Sequence, residues 1–151
     1  MSYELLKVLH VFGAVVFLGN IVVTALWKTL ADRTGDPIVI GFAQRLITVT
    51  DVAFTATGAT LLVVSGSVMT TTHAHVMWLT WGIALFAASG VLWVAVLIPV
   101  QIGQARLARG FRYGGEIPAG YWRLSTVWMV FGIVATALPL VNVYLMVAKP
   151  I

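Results

Sequence analysis

Two kinds of side chain in this sequence, imidazole and thioether, have the chemistry to hold a metal or a cofactor. His10 stands in a long apolar stretch, Leu6 to Asn20. Imidazole is the usual axial donor to haem iron and a common copper ligand, so His10 is a candidate ligand for either. A second concentration is Met69-Thr70-Thr71-Thr72-His73-Ala74-His75-Val76-Met77, where Met69, His73, His75 and Met77 fall within nine residues. Soft sulfur with imidazole suits copper, above all the reduced ion. The bland alternatives are a hydrogen-bonded interior imidazole at His10 and an exposed loop with incidental histidines.

Asp51 is the third chemical signal. A lone carboxylate inside an apolar run costs about 2.5–3.5 kcal/mol to insert into a bilayer. Arg45, Arg123 or Asn20 at the same depth is expected to satisfy it, either as a structural pair or as part of a proton or substrate path. Beyond these residues the inventory is thin. There is no glycine-rich phosphate loop, no nucleophile elbow and no pair of adjacent intramembrane carboxylates. With no cysteine, disulfides, thiolate ligands and iron–sulfur clusters are excluded.

The elements that must position these residues are membrane helices. The chain has 151 residues, 60% hydrophobic and 9% charged, with a mean hydropathy of +0.99. No water-soluble globule could cover such a composition with polar groups. Four apolar stretches reach the roughly 20 residues a spanning helix needs, at about residues 5–27, 46–69, 78–100 and 124–147. The expected architecture is an all-α, four-helix transmembrane bundle forming one domain over residues 1–151. The start, Met1-Ser2-Tyr3-Glu4, is not basic, and the apolar run after it outlasts a signal's h-region, so a retained helix is expected.

Charge placement orients the bundle. Lys28, Arg33, Arg45, Arg106, Arg109, Arg112 and Arg123, seven of the nine basic residues, fall in the first and third connections. The positive-inside rule makes those connections cytoplasmic and places both termini and the 70–77 connection outside. The expected home is a bacterial inner membrane. The net charge of +4 then serves topology and lipid headgroups, and nucleic acid is not a partner. Tyr3, Trp78 and Trp81 mark an expected outer aromatic belt, and Trp27, Tyr121 and Trp122 an inner one. Arg45-Leu46-Ile47-Thr48-Val49 and Arg123-Leu124-Ser125-Thr126-Val127 form a short echo compatible with duplicated hairpins.

At about 100° per residue, His10, Gly13, Phe17, Asn20 and Thr24 share one arc of the first helix. Gln44, Thr48, Asp51, Thr55, Gly58 and Ser65 form a stripe on the second, and Ser125, Gly132, Ala135, Pro139 and Asn142 one on the fourth. Small and polar residues line helix contacts in membranes, so these stripes should face a common interior.

The stretch Leu9-His10-Val11-Phe12-Gly13, with Phe17 beyond it, resembles the first helix of HemJ-type protoporphyrinogen oxidases. The terminal Lys149-Pro150 also looks like the ending of that family. The whole chain more closely resembles an uncharacterised bacterial family of four-span predicted integral membrane proteins, and copper-resistance D-type membrane proteins share its general style. The likeness implies a b-type haem with His10 as ligand, the cofactor lined by Gly13, Phe17 and Asn142, and an oxidoreductase of HemJ-like type. The chain departs from that pattern in having no histidine in the third span and Trp122-Arg123-Leu124-Ser125 where an Asn-Glu pair is expected. Three readings follow: a haem protein of redox or haem metabolism, a copper-handling protein with an outer Met/His site, and a cofactor-free accessory subunit. The last would pack as a homo-oligomer or against another membrane protein.

Overall fold

A computed structural model describes residues 2–70 and 76–150. Four long helices carry nearly all of them. They are α1 (Tyr3–Thr34), α2 (Pro37–Thr70), α3 (Met77–Phe111) and α4 (Ala119–Ala148), each long and apolar enough to cross a membrane. The helices outrun the apolar stretches from which they were expected. The 32 residues of α1 extend about 48 Å at 1.5 Å per residue, well beyond a hydrocarbon core of about 30 Å.

Much of the segment expected to connect the first two spans is therefore helix. The chain turns at Gly35 and Asp36 alone, and local chemistry explains why so few residues suffice. Gly35 takes φ 63°, the left-handed conformation that ends a helix, and its N–H bonds to the Asp32 carbonyl. The Asp36 side chain accepts from the N–H groups of Ile38 and Val39, with Pro37 opening the next helix.

Two helices change pitch near mid-length. A π turn spans Asp51–Ala56 in α2, and a second spans Trp93–Leu97 in α3. Pro99 follows the second, and proline's missing N–H and ring clash disrupt the regular ladder one turn earlier. Single π turns in otherwise regular helices are frequent at functional sites.

Packing runs chiefly within two hairpins, α1 on α2 and α3 on α4, joined by α2 against the C-terminal part of α3. Closest approach in the first hairpin is at Gly13 and Gly58. A Cβ on Gly58 would stand 2.7 Å from the Phe17 nitrogen, and one on Gly13 would stand 2.9 Å from the Leu61 Cβ. One end of the bundle holds His10 beside Ser65 and Lys149 over the Trp78 ring. The opposite end holds Lys28 beside Tyr121 and Gly41 against Arg112. Both chain ends thus share one end of the bundle, and the basic residues other than Lys7 and Lys149 gather toward the other.

Burial is inverted relative to a soluble protein. Thr24, Lys28, Gln44, Thr55, Ser65, Ser89, Gln101, Gln104 and Ser125 are buried, while Phe42, Val52 and Ile133 are exposed. An apolar surface of this extent belongs against lipid. The expected stripes face inward apart from Thr48, which is exposed and returns its hydroxyl to the Gln44 carbonyl at 2.9 Å. Tyr121 is corrected more sharply: expected in an aromatic belt, it is 1% exposed.

Candidate functional site

The second helix carries Asp51 at the start of its π turn, facing α1 and α3. Its Oδ1 accepts from Asn20 Nδ2 at 2.8 Å and from the Thr55 hydroxyl at 3.2 Å. Its Oδ2 accepts from Gln101 Nε2 at 2.9 Å. Asn20 also donates to Thr55 Oγ1 at 2.8 Å. Three helices thus converge on one carboxylate. Asn20 fulfils its expected role, whereas neither Arg45 nor Arg123 makes an ion pair with Asp51; among the described residues Lys28–Asp32 is the only such pair.

An ionised carboxylate offers about four lone-pair sites, and Asp51 uses three. Two clefts meet at this group, both walled by Asp51 and Gln101. One, of about 930 Å³, is lined by Phe17, Phe86, Trp93 and Trp128 together with Thr24, Ser89 and Thr136. The Phe17 and Phe86 rings stand 5.9 Å apart. The other, of about 810 Å³, opens between α2 and α3 toward Arg45, Arg109 and Arg112.

A second polar cluster sits nearer the basic end. Lys28 Nζ bonds Asp32 Oδ2 at 2.9 Å and Tyr121 OH at 3.1 Å. The Gln104 amide, turned so that its oxygen faces the ammonium, accepts from it at 3.1 Å. Tyr121 OH donates to Asp32 Oδ1 at 2.7 Å, and the Ser125 hydroxyl donates to Asp32 Oδ2. The ammonium also lies 4.9 Å from the Tyr121 ring centre and 5.6 Å from that of Trp128. An ammonium has three N–H donors, and here all three are used. Lys28, Asp32, Gln104, Tyr121 and Ser125 line neither cleft.

The expected cofactor residues are distributed among several contacts. His10 Nδ1 is 3.0 Å from Ser65 Oγ, and a Cβ on Gly66 would touch the ring at 3.2 Å. Gly13 is closed over by Gly58, Leu61 and Leu62. Phe17 lines the aromatic cleft. Asn142 packs on Gly82, where a Cβ would stand 2.6 Å from its Oδ1, and that oxygen has no hydrogen-bond partner. His10 lines neither cleft. His73 and His75 lie outside the described residues. Met69 ends α2 one residue before its terminus, and Met77 begins α3, 67% exposed. Among the described residues no three of His, Cys, Asp or Glu come together as a metal site.

Four members of these clusters escaped sequence reasoning: Gln101, Gln104, Asp32 and buried Lys28. The third span was expected to end at Val100, one residue short of Gln101. The signal for the other cluster was the i,i+4 spacing of Lys28 and Asp32, the spacing at which opposite charges meet on a helix.

No curated protein and no solved structure matches the chain. A family model does, over residues 4–150, nearly the whole length over which the four helices and both polar clusters are laid out. The chain belongs to the family described as predicted integral membrane protein (DUF2269).

Proposed function

We propose that this membrane protein binds a lipophilic small molecule that presents a hydrogen-bond donor to Asp51. The observation that carries the reading is the remaining acceptor site of Asp51 in the wall of an apolar, aromatic cleft of about 930 Å³. Ligand sites are commonly apolar cavities with a few convergent polar groups that fix orientation. Asn20, Thr55 and Gln101 hold the carboxylate in place, while the four aromatic side chains take the apolar body. A hydroquinone or long-chain alcohol has the matching chemistry. The placement of basic residues supports an orientation with both termini outside a bacterial inner membrane.

Trp93 and Trp128 line the cleft, so their fluorescence reports occupancy. Decyl-hydroquinone should quench it saturably in detergent, its bis-methyl ether should bind at least tenfold more weakly, and Asp51→Leu should remove the difference. Equal quenching by both compounds in the wild type would discard the reading.

A second reading keeps His10 as a ligand to b-type haem or copper at the outer end, as a HemJ-like or copper-handling role requires. Ser65 on Nδ1 favours it, since metal-ligating histidines are oriented through their other ring nitrogen. Met69, His73, His75 and Met77 would supply the copper alternative. Absorption spectra and metal analysis of wild type beside His10→Ala decide it: neither Soret band nor copper after supplementation removes both versions and leaves the accessory-subunit role.

A further inference from the structure

The cleft on the far side of the Asp51–Gln101 pair is built unlike the aromatic one. Its α2 wall is one helical stripe, Phe42, Arg45, Val49 and Val52; its α3 wall is another, Ile98, Ile102, Arg109 and Arg112. On both stripes apolar residues (Val49 and Val52 on α2, Ile102 and Ile98 on α3) run from the arginines toward mid-membrane, and Phe42 stands on the basic side of Arg45. The antiparallel register, in which Gly41 of α2 meets the Cα and Cβ of Arg112, brings Arg45 and Arg109 near one level and Arg112 about one turn nearer the basic end. None of the three is paired with a carboxylate, because Lys28–Asp32 is the only ion pair among the described residues.

Gln44 gives an independent indication. It lines this cleft and is 2% exposed, yet neither its amide nitrogen nor its amide oxygen has a hydrogen-bond partner. A buried amide left unpaired is costly, so its place beside three arginines without a carboxylate partner points to a polar group that enters with a ligand. Asp51 lies six residues further along α2 than Arg45, about 9 Å deeper at 1.5 Å per residue. The carboxyl is thereby set deeper than Arg45 and is held by Asn20, Thr55 and Gln101.

We infer that the α2–α3 cleft is a site for one anionic glycerophospholipid. Its phosphate is held by Arg45, Arg109 and Arg112, its glycerol-ester region lies against Gln44, and an acyl chain runs along Val49, Val52, Ile98 and Ile102. Basic pockets between membrane helices on the cytoplasmic side have the chemistry for such headgroups.

The test uses full-length protein, delipidated in dodecyl maltoside and melted with dioleoyl-phosphatidylglycerol, dioleoyl-phosphatidylcholine or inorganic phosphate. Phosphatidylglycerol should raise the melting temperature saturably, and the other two should not. Single replacements Arg45→Gln, Arg109→Gln and Arg112→Gln should each weaken the apparent affinity roughly fivefold, the factor equivalent to about 1 kcal/mol per basic residue. Gln44→Leu should also weaken it. Arg33→Gln and Arg123→Gln remove the same charge outside the cleft and should leave the affinity unchanged. Native mass spectrometry gives a second readout that needs no melting transition: one phosphatidylglycerol should remain on the wild type and be lost from the Arg109→Gln/Arg112→Gln double variant. Equal shifts with phosphatidylcholine, a shift reproduced by phosphate alone, or equal losses from the Arg33 and Arg123 controls would each overturn the inference.

Discussion

The two interior polar clusters are made of the same kinds of group but are finished differently. Around Lys28 and Asp32, cation and anion are paired and every ammonium proton has an acceptor. The Tyr121 hydroxyl both accepts from Lys28 and donates to Asp32, and neither cleft reaches the group. Around Asp51 no cation stands within ion-pair distance among the described residues. Its partners are two amides and a hydroxyl, one acceptor site remains, and a cleft lies on either side. The first arrangement is how a membrane protein closes a helix contact with charge. The second holds a carboxylate ready for something outside the chain. The difference shows that burial of an ionisable group does not by itself distinguish scaffold from site; saturation of its partners and access to space do.

Breaking the saturated cluster should have the largest effect. Lys28→Met leaves the partly buried Asp32 without its cation, and removing one partner of a buried pair costs up to about 3–5 kcal/mol. Melting in detergent should show this loss, and adding Asp32→Asn should recover part of it. A Lys28→Met variant as stable as wild type would erase the contrast between the clusters. Next is the glycine crossing that brings Asn20 to Asp51. Gly58→Val forces methyl groups onto the Phe17 backbone, and overpacking of this kind costs about 1–3 kcal/mol. Ligand quenching should fall with it, because α1 must move away from α2.

Asp51→Asn should be milder in stability, about 1 kcal/mol or less, since a neutral amide replaces a carboxylate whose hydrogen bonds are each worth about that much. Its weight should fall on binding, with selectivity for decyl-hydroquinone over the methyl ether lost. A change several times larger in stability, with selectivity intact, would make Asp51 scaffold. The smallest effect is expected for Arg33→Gln. Arg33 is an exposed, unpaired end of α1, and surface substitutions of this sort stay within about 0.5 kcal/mol. Thermal melts of the same preparation place all four on one scale.

Much of the fold was legible from the residues. Hydropathy located four spans, the 3.6-residue period identified the inward faces of α1 and α4, and the basic residues were correctly expected to gather at one end. The turn at Gly35–Asp36 falls within the connection expected between the first two spans, but the helices reach much further into that connection than hydropathy implies. Charged residues such as Lys28 and Asp32 read as connection because a lone charge in a span is costly; in the fold each neutralises the other within about one helical turn. The site was half legible. Asp51 and Asn20 were visible as misplaced polar groups in apolar sequence. Gln101 stands directly after an unbroken apolar run, so hydropathy alone leaves it outside the span.

Sequence alone determined that the bilayer is the solvent, that four helices cross it, and which face of most of them turns inward, because transfer energy and helical period are local properties. It could not determine which polar groups meet. Lys28 and Tyr121 are 93 positions apart and Asp51 and Gln101 are 50 apart, and such pairings depend on the rotation and depth of each helix against its neighbours. Those are set by the glycine crossing at Gly13 and Gly58 and by the π turns in α2 and α3. Only the tertiary structure decided that one acid is locked to a lysine and the other is left between two clefts.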